Sequence, residues 1–250
     1  MKLSAKLFIE GKIKSLTGLA IGGSNTDMVI GGLDSTVIKT SEGIPYIPGS
    51  SLKGKLRSLI EKKKGRSKIC DCGRKECEIC TVFGVGAGAG NEKIGPTRLY
   101  VRDANLDETI KKQMKNKVGI FSELELNYTE SKVENVINRK NSKSDNLRNL
   151  ERVPAGAKFD LNLVYNILMD EDIKRFKEVV VALRMLEDDY IGGNGSRGYG
   201  RIKFEDLKIG IKTIKEYEGD NKVKNLYQGE LDEINFNELR QEMQSKLGVE

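Results

Sequence analysis

The sequence has no histidine and no tryptophan among its 250 residues. Without an imidazole group, the chain cannot by itself supply a Ser-His-Asp or Cys-His nucleophile system, a histidine-ligated metal site or an imidazole acid–base step. Long apolar runs are also absent, because stretches such as residues 179–183 end far short of the ~20 residues that a bilayer span requires. Residues 1–10 alternate polar and apolar side chains and lack the apolar core of a signal peptide. We therefore expect a soluble, cytoplasmic protein with no membrane partner.

The composition is that of a globular protein with a substantial core. Hydrophobic residues make up 38% of the chain, which also contains 27 glycines. A chain of this length can form one large domain or two small ones without disulfide support. The 43 Lys+Arg exceed the 37 Asp+Glu and give a formal net charge of +6. This excess fits a polyanionic partner, but solubility alone explains it equally well.

The spacing of apolar residues predicts alternating strands and helices. Strands are predicted at residues 3–13, 36–40, 44–48, 97–101, 119–126, 158–168 and 201–211. Helices are predicted at 51–63, 171–186 and 237–247, the first with Ser50 or Ser51 as its N-cap. Residues 65–96 combine the cysteines with a glycine-rich run and predict an excursion from the main fold, and residues 127–152 predict a polar, protruding arm. This order favours an α+β ferredoxin-like (RRM-like) sandwich that carries insertions.

The start of the first predicted helix has the composition of a phosphate-binding site. Residues 49–55, Gly-Ser-Ser-Leu-Lys-Gly-Lys, match a P-loop, but Leu56 stands where a Ser or Thr hydroxyl would bind magnesium, which excludes a nucleoside triphosphatase. The physical basis of the match remains, because small residues leave backbone N–H groups free and Lys53, Lys55 and Arg57 add positive charge. Such a site suits a phosphodiester backbone. A capped helix with a solvated basic face explains the same residues.

A second glycine-rich segment lies at residues 192–200. Its Gly-x-Gly-x-x-Gly pattern follows a predicted helix and opens a strand, which is the reverse of the order required for dinucleotide binding. A loop with exposed N–H groups can instead contact a nucleic-acid backbone while Arg197 or Tyr199 stacks on a base. A tight turn before Arg201 is the simpler interpretation, although the five glycines of this segment exceed what a turn needs.

All four cysteines of the chain lie close together, at Cys70, Cys72, Cys77 and Cys80. This spacing can supply a tetrahedral four-sulfur zinc site. The first pair is C-x-C rather than C-x-x-C, which weakens the match, and the alternatives are free thiols or disulfides, of which a reducing cytosol disfavours the latter. With no open ligand position, the zinc would be structural and would order an insertion that has little core of its own.

One carboxylate, Asp34, lies beside Gly31 and Gly32 in a segment with few evident structural roles. An Asx turn is the alternative interpretation. Without histidine, RNA cleavage can still proceed by attack of the RNA's own 2′-hydroxyl. A carboxylate would orient that group or hold a metal ion, and a cation would stabilise the phosphorane. Asp34 is therefore the candidate catalytic residue.

Six motifs occur in a specific order along the chain. They are residues 20–23 (Ala-Ile-Gly-Gly), 30–34 (Ile-Gly-Gly-Leu-Asp), 44–54 (Ile-Pro-Tyr-Ile-Pro-Gly-Ser-Ser-Leu-Lys-Gly), 134–139 (Glu-Asn-Val-Ile-Asn-Arg), 151–156 (Glu-Arg-Val-Pro-Ala-Gly) and 186–200 (Leu-Glu-Asp-Asp-Tyr-Ile-Gly-Gly-Asn-Gly-Ser-Arg-Gly-Tyr-Gly). Together they resemble the repeating backbone subunit of type III-A (Csm) CRISPR effector complexes, of the RAMP superfamily. The similarity extends over nearly all of residues 3–210.

This resemblance implies an RRM-like palm whose copies stack into a filament along a guide RNA (crRNA), together with other Csm-type subunits. It implies a thumb hairpin, which the arm at residues 127–152 matches. It also implies that each copy cuts the paired target RNA in a reaction that depends on a divalent metal, with magnesium the expected ion, and that Asp34 is the catalytic residue. One departure bears on this activity, because many relatives carry histidine where this chain has Ala20. Either cutting here needs no imidazole, or this copy cuts poorly.

The resemblance implies guide contact for Lys53, Arg57, Arg139 and the loop from Gly195 to Gly200. With the two serines at the helix start, the candidate RNA-binding residues are Ser50, Ser51, Lys53, Arg57, Arg139, Gly195, Ser196, Arg197, Gly198, Tyr199 and Gly200. The cysteine cluster varies within the family, so the predicted zinc depends on the cysteine spacing alone.

The predicted organisation is one RAMP domain over residues 1–212 and a C-terminal extension over 213–250. The domain includes the cysteine-containing insertion at 65–96 and the thumb-like arm at 127–152. Two functions from different classes are compatible with the sequence: a guide-dependent endoribonuclease subunit, and a guide-binding scaffold that does not cut. A third interpretation is a related RAMP subunit of a type III-B complex.

Overall fold

A computed structural model of the chain describes residues 1–23, 35–86 and 94–248. Among these residues the strands are β1 (Ala5–Ser15), β2 (Tyr46–Ile47), β3 (Leu99–Val101), β4 (Ala104–Asn105), β5 (Glu130–Ile137), β6 (Ser144–Arg152), β7 (Lys158–Ile167), β8 (Ile202–Thr213) and β9 (Lys224–Gly229). The helices are α1 (Gly49–Lys63), α2 (Glu78–Phe83), α3 (Glu108–Lys115), α4 (Glu171–Asp188), α5 (Ile214–Glu218) and α6 (Phe236–Leu247). None of the helices in the described ranges is both long enough and apolar enough to cross a membrane.

The core is built on a five-stranded antiparallel sheet in the order β3-β7-β1-β8-β9. Strand β1 lies at its centre. Its side chains alternate, so that Leu7 and Ile9 are buried, while Lys6, Phe8 and Glu10 on the other face are partly or fully exposed. A period of two places successive side chains on opposite faces of a sheet, so one face of β1 enters the core and the other remains open. The predicted α+β class is confirmed.

Helices α1 and α4 cover the buried face. Leu52, Leu56 and Ile60 of α1 and Phe176 and Leu183 of α4 belong to the same buried cluster as the inward residues of β1. Their spacing of four residues in α1 and seven in α4 places them on one side of each helix. Along the chain, the elements of the sheet and its two helices follow the order β1, α1, β3, β7, α4 and β8. Helices α1 and α4 leave the opposite face of the sheet uncovered.

Strands β5 and β6 form a separate two-stranded antiparallel hairpin. Its far end is exposed and includes the apolar side chains of Ile137 and Leu147, but its base enters the core, where Leu150, Glu151 and Val153 are buried. The predicted arm at residues 127–152 therefore forms a β-hairpin anchored at its base.

The chain after residue 212 packs on the same sheet. Strand β9 pairs with β8 and becomes an edge of the sheet, and α6 buries Leu239 and Met243. Helix α6 begins within one residue of the helix predicted at 237–247. The division of the chain at residue 212 stays a prediction.

Three local predictions are wrong. Residues 36–40 form no strand and make only isolated bridges, between Val37 and Gly22 and between Lys39 and Pro45. Residues 119–126 form no strand, and Gly119–Phe121 is a 3-10 turn instead. Phe121 and Leu124 are the buried positions there, and a spacing of three suits a helical turn rather than a strand. The N-cap of α1 is Pro48, not Ser50 or Ser51, and the backbone N–H of Gly49 donates to Asp103 Oδ1 at 2.7 Å.

The described part of the excursion predicted at residues 65–96 contains regular secondary structure. Within residues 65–96, helix α2 buries Ile79, Cys80, Val82 and Phe83. These side chains join the main core. The sequence did not predict this helix, because a helix of six residues is too short to show a periodic pattern.

A buried ion pair connects the sheet edge with the start of α4. Asp172 is 0% exposed and accepts from Nε of Arg98 at 3.0 Å and from the guanidinium of Arg175 at 2.9 Å. It also accepts from the backbone N–H groups of Leu168 and Met169. Each oxygen of this carboxylate therefore has a partner, which offsets the cost of burying its charge.

We expect Asp172→Ala to lower the free energy of unfolding by about 3–5 kcal/mol, because it leaves the buried Arg98 guanidinium without its counter-charge. The matched control is Glu171→Ala, which removes an exposed carboxylate from the same first turn of α4 and should cost less than about 1 kcal/mol. Denaturant unfolding measures both values. Equal losses in the two variants would contradict a structural role for this ion pair.

Candidate nucleic-acid interface

The N-terminus of α1 borders a cavity at one edge of the central sheet, which we call the edge groove. The cavity measures about 580 Å³, and it is lined by Lys6, Gly49, Ser50, Lys53, Tyr100, Val101, Arg102, Val164 and Asn166. Two of the predicted RNA-binding residues, Ser50 and Lys53, therefore share one concave surface. Ser51 is half-buried in the first turn of α1 and does not line this cavity.

Gly49 allows the helix to start this close to the sheet. A Cβ atom at this position would lie 2.3 Å from the carbonyl oxygen of Val101, so only glycine fits without a shift of the backbone. Strand β2 pairs with β4 beside this contact. The first turn of α1 is thereby held against the turn that joins β3 and β4.

Lys53 is the lysine best placed to meet an anion in the edge groove. Its Nζ lies 3.5 Å from the hydroxyl of Thr97. Burial, together with the neighbouring positive charge of Arg57, lowers the pKa of Lys53 below its ordinary value. An ammonium group that is partly desolvated beside a like charge is stabilised by a bound anion such as phosphate.

Arg57, predicted to contact RNA, is occupied by internal partners. Its guanidinium donates to the carboxylates of Glu61 at 2.9 Å and Asp71 at 3.2 Å. It also donates to the carbonyl oxygens of Gly84 at 3.1 Å and Cys70 at 2.9 Å. The structure therefore places Arg57 as the connection between α1 and the cysteine-containing segment.

The glycine-rich segment at residues 192–200 packs backbone against backbone on the segment 16–23. The N–H of Gly200 donates to the carbonyl of Gly18 at 2.9 Å, and the N–H of Gly193 donates to that of Ala20 at 2.8 Å. Gly200 has a φ of +73°, and a Cβ there would lie 2.1 Å from the carbonyl oxygen of Ile191. Gly192, Gly195 and Gly200 are needed for close contact, because a Cβ at each would lie within 2.4 Å of a neighbouring atom. Close contact therefore accounts for three of the five glycines, which a single tight turn does not.

Within this segment, the side chains divide between core and solvent. Ser196 and Arg197 are exposed, whereas Tyr199 is only 1% exposed. The hydroxyl of Tyr199 donates to Oε1 of Glu134 in the hairpin at 2.7 Å. Burial, together with this carboxylate, raises the pKa of Tyr199 to about 12. Tyr199 therefore fastens the segment to the hairpin and is not available to stack on a base, in contrast to the prediction for it.

Cations of the hairpin lie against the ring of Tyr199. Nζ of Lys132 is 4.8 Å from its centroid, and Cζ of Arg152 is 5.1 Å away. Arg152 also donates to Glu130 at 2.6 Å. A Cβ at Gly18 would lie 2.4 Å from Cδ of Arg152, so this glycine makes room for the arginine.

The predicted catalytic residue, Asp34, lies outside the described residues. The residues on either side of the segment 24–34 are held by backbone hydrogen bonds. The N–H of Gly23 donates to the carbonyl oxygen of Thr36 at 3.0 Å, and the N–H of Glu151 donates to the carbonyl oxygen of Ser35 at 2.9 Å. Leu19 pairs with Val153 on the other side. The chain therefore enters and leaves residues 24–34 at the base of the hairpin, beside the glycine-rich segment.

Glu151 was not singled out by sequence reasoning, yet it organises this junction. Its carboxylate is buried and accepts from the N–H of Val37 at 3.0 Å and from the hydroxyl of Thr129 at 2.6 Å. Lys39 forms an ion pair with it. A buried carboxylate with these partners holds the segment from Val37 to Lys39 against the hairpin. The sequence feature that could have indicated this role is the place of Glu151 in the motif at residues 151–156.

Arg139 lies in the turn of the hairpin, between β5 and β6, and is exposed. The structure does not bring it to the edge groove. A contact of Arg139 with RNA would therefore be made by the far end of the hairpin.

The four cysteines converge on one point. The Sγ atom of Cys70 lies 3.9 Å from that of Cys72, 3.6 Å from that of Cys77 and 3.9 Å from that of Cys80. A tetrahedron of sulfurs around zinc at about 2.3 Å has edges of about 3.8 Å, so the set fits such an ion. A backbone N–H at Arg74 lowers the pKa of Cys72 to about 6, while burial raises the pKa of Cys80 to about 12.

Comparison with known proteins identifies the family. The profile of the RAMP superfamily matches residues 12–203. The chain belongs to the RAMP superfamily. Among curated proteins, this RAMP chain is 40% identical over 254 residues to "CRISPR system Cms endoribonuclease Csm3" of Methanocaldococcus jannaschii, covering 97% of this chain and 95% of the relative. The Csm3 of Streptococcus thermophilus is 38% identical over 230 residues, covering 85% and 96%.

The fold of this RAMP chain is also similar to a solved structure. It matches a chain of the "Crystal structure of Csm3-Csm4 subcomplex in the type III-A CRISPR-Cas interference complex" with a TM-score of 0.63 and 32% identity, covering 98% of both chains. The resemblance inferred from the ordered motifs is therefore confirmed. The matched range of the family profile contains α1, the hairpin and the glycine-rich segment.

We expect Gly200→Ala to lower the free energy of unfolding of this RAMP chain by more than about 3 kcal/mol, because a methyl group there meets backbone that must shift. The control is Gly198→Ala, which has an equally positive φ of +86° but no atom within 4 Å of the added Cβ. The control should cost only about 1–2 kcal/mol, the strain of the left-handed conformation. Denaturant unfolding of both variants checks this, and equal costs would show that close packing at Gly200 is unimportant.

Proposed function

We propose that this chain is a guide-RNA-binding backbone subunit of a type III-A CRISPR interference complex that cleaves complementary target RNA at regular intervals. The observation that carries the proposal is the junction at the hairpin base, where the chain that enters residues 24–34 contacts the glycine-rich segment and the chain that leaves them contacts the hairpin. The naming of its relatives as Csm3 endoribonucleases supports it. In this proposal the partners are crRNA, target RNA, further copies of the chain in a filament and other Csm-type subunits, in the cytoplasm.

In this proposal, the sheet order β7-β1-β8, with β3 outside β7, is that of a ferredoxin-like (RRM-like) palm. The hairpin β5–β6 is its thumb. The cysteine-containing segment is an insertion attached to α1 through Arg57. Ser50 and Lys53 in the edge groove bind guide phosphates, as do the exposed residues Ser196 and Arg197.

The cleavage step proposed for Asp34 follows RNA's own chemistry. The 2′-hydroxyl of the target loses its proton to solvent as it attacks the adjacent phosphorus, a bond to the 2′-oxygen forms, and the bond to the 5′-oxygen of the next nucleotide breaks. The products are a 2′,3′-cyclic phosphate and a 5′-hydroxyl group, whose oxygen takes a proton from water. Asp34 orients the attacking hydroxyl or holds a divalent cation, with magnesium the expected ion. When bound, that ion supplies positive charge to the phosphate. No histidine is required in this scheme, although Ala20 replaces the histidine of many relatives.

We expect Asp34→Ala to abolish regularly spaced cleavage of a labelled complementary RNA by the reconstituted complex, with a loss of at least about a hundredfold in rate. Target affinity should stay within about twofold, since one carboxylate contributes little to RNA binding. The control is Asp27→Ala, which removes another aspartate of the same segment and should leave cleavage intact. Addition of a chelator to the wild-type complex tests the divalent metal.

A non-catalytic scaffold is the second candidate, and Ala20 is the observation that favours it. If wild-type complex binds target but does not cut, the scaffold is correct. If Asp34→Ala cuts at the wild-type rate, Asp34 is not the catalytic residue.

We also propose that Cys70, Cys72, Cys77 and Cys80 hold a structural zinc ion. The sulfur separations near 3.8 Å support this proposal, as does the closed, four-thiol donor set.

Metal analysis of protein purified without chelator should give about one zinc per chain. Cys72→Ser should lose most of it, and Cys72→His should retain it, because imidazole is also a zinc ligand and Cys72 is exposed enough to admit a larger side chain. The thermal unfolding temperature should fall in the serine variant alone. A zinc content well below one in the wild type would refute the site.

A further inference from the structure

The open face of the central sheet carries a second cavity, the sheet groove, which continues from the edge groove. It measures about 380 Å³ and extends from Phe8 and Asn162 to Lys208 and Asn225. Arg102 lines both cavities. The sheet groove lies on the side opposite α1 and α4, where no function has yet been assigned.

The pairing of the strands aligns one row of side chains across this face. Tyr100 pairs with Val164, Val164 with Phe8, and Phe8 with Gly210. Because neighbouring strands are about 4.8 Å apart, the two rings of the row stand about 10 Å from each other. Tyr100 is 44% exposed. The row is thus an apolar platform with two aromatic rings.

Two buried amide oxygens flank the row without partners. Oδ1 of Asn162 and Oδ1 of Asn166 are buried and accept no hydrogen bond from the described residues. Both belong to β7, four residues apart and therefore on one face, and they line the sheet groove and the edge groove respectively. Buried polar groups are nearly always paired, so these two indicate a ligand that supplies donors.

The charges around the two grooves are mostly positive. Lys6, Lys53, Arg102 and Lys208 line them, against one carboxylate, Glu10, among the described residues. A second copy of the chain, itself of net charge +6, would be repelled by this surface overall. A polyanion would be attracted to it.

We propose that this open face is a platform for single-stranded RNA. Bases stack on Tyr100 and Phe8, and phosphates lie near Arg102 and Lys208. The side chains of Asn162 and Asn166 rotate toward the grooves, where their amide oxygens accept from base N–H groups. Aromatic rings, unpaired amides and cations on an open sheet are the combination that recognises unstacked nucleotides. The inference rests on the proposed function for its RNA ligand, and it extends the contact surface from the edge groove at the α1 N-terminus across the open face of the sheet.

The test measures binding of end-labelled single-stranded RNA of mixed sequence to the full-length chain by fluorescence anisotropy. Tyr100→Ala should weaken binding about tenfold, whereas Tyr100→Phe, which keeps the ring, should bind like the wild type. Asn162→Leu should weaken binding severalfold and leave the free energy of unfolding unchanged or higher, because it removes an unpaired buried amide. If Asn162 had only a structural role, Asn162→Leu would lower the free energy of unfolding and leave RNA binding unchanged.

Charge reversal supplies a matched pair. Lys208→Glu should weaken binding and reduce its salt dependence by about one phosphate contact. Lys177→Glu makes the same change in net charge on the exposed side of α4, in the opposite layer, and should do neither. Crosslinking with 4-thiouridine in the same RNA should label Phe8 or Tyr100.

The outcomes separate the two proposals. If the open-face variants bind RNA like the wild type while Lys53→Glu binds weakly, the platform is refuted and the proposed function stands. If the wild-type chain binds no RNA, both fail. If Tyr100→Ala alters self-association by light scattering but not RNA affinity, the face is an interface between copies and the platform is refuted.

Discussion

The close contact between two glycine-containing segments is the constraint on which the arrangement of the site depends. Segment 16–23 and residues 192–200 approach so closely that Gly192 has no room for a side chain, because a Cβ there would lie 2.4 Å from the carbonyl oxygen of Ala20. Backbone hydrogen bonds then join the two segments directly. This contact fixes where the chain enters residues 24–34, and the hairpin base fixes where it leaves. The hairpin proposed as the thumb therefore adjoins the point where the chain leaves residues 24–34.

The basic residues of the chain divide into two groups with different roles. Arg57, Arg98 and Arg152 are held by carboxylates or carbonyls inside the protein. Their planar guanidinium groups can satisfy several acceptors at once, which suits a connecting role. Lys53 and Lys208, by contrast, line open cavities. Net charge alone therefore says little about RNA contact, because a large share of the positive charge is already paired.

The open face of the sheet also departs from what stability alone would favour. An apolar residue in place of Asn162 or Asn166 would remove a buried oxygen that has no partner in the described structure. Unpaired buried amides cost about 1–3 kcal/mol each. Their presence beside aromatic rings and cations is typical of a surface whose polar groups are completed by a ligand.

Much of the architecture could be predicted from local patterns. The long strands β1, β7 and β8 and the helices α1, α4 and α6 were predicted because alternation or helical spacing persists over ten residues or more. The short elements were not. Helix α2 and strand β9 carry too few residues to show a period, and the 3-10 turn at Gly119–Phe121 was mistaken for a strand.

Residue type and spacing along the chain were sufficient to identify the family, through its ordered motifs, and the cluster of four cysteines. Which predicted residues share a surface depended on contacts between distant segments, and these arise only in the folded chain. Arg57 and Tyr199 have the residue types of RNA ligands, but their tertiary partners, Asp71 and Glu134, occupy them. Asn162 and Asn166 have no motif at all, and they became candidates because strand pairing leaves their oxygens buried without a donor.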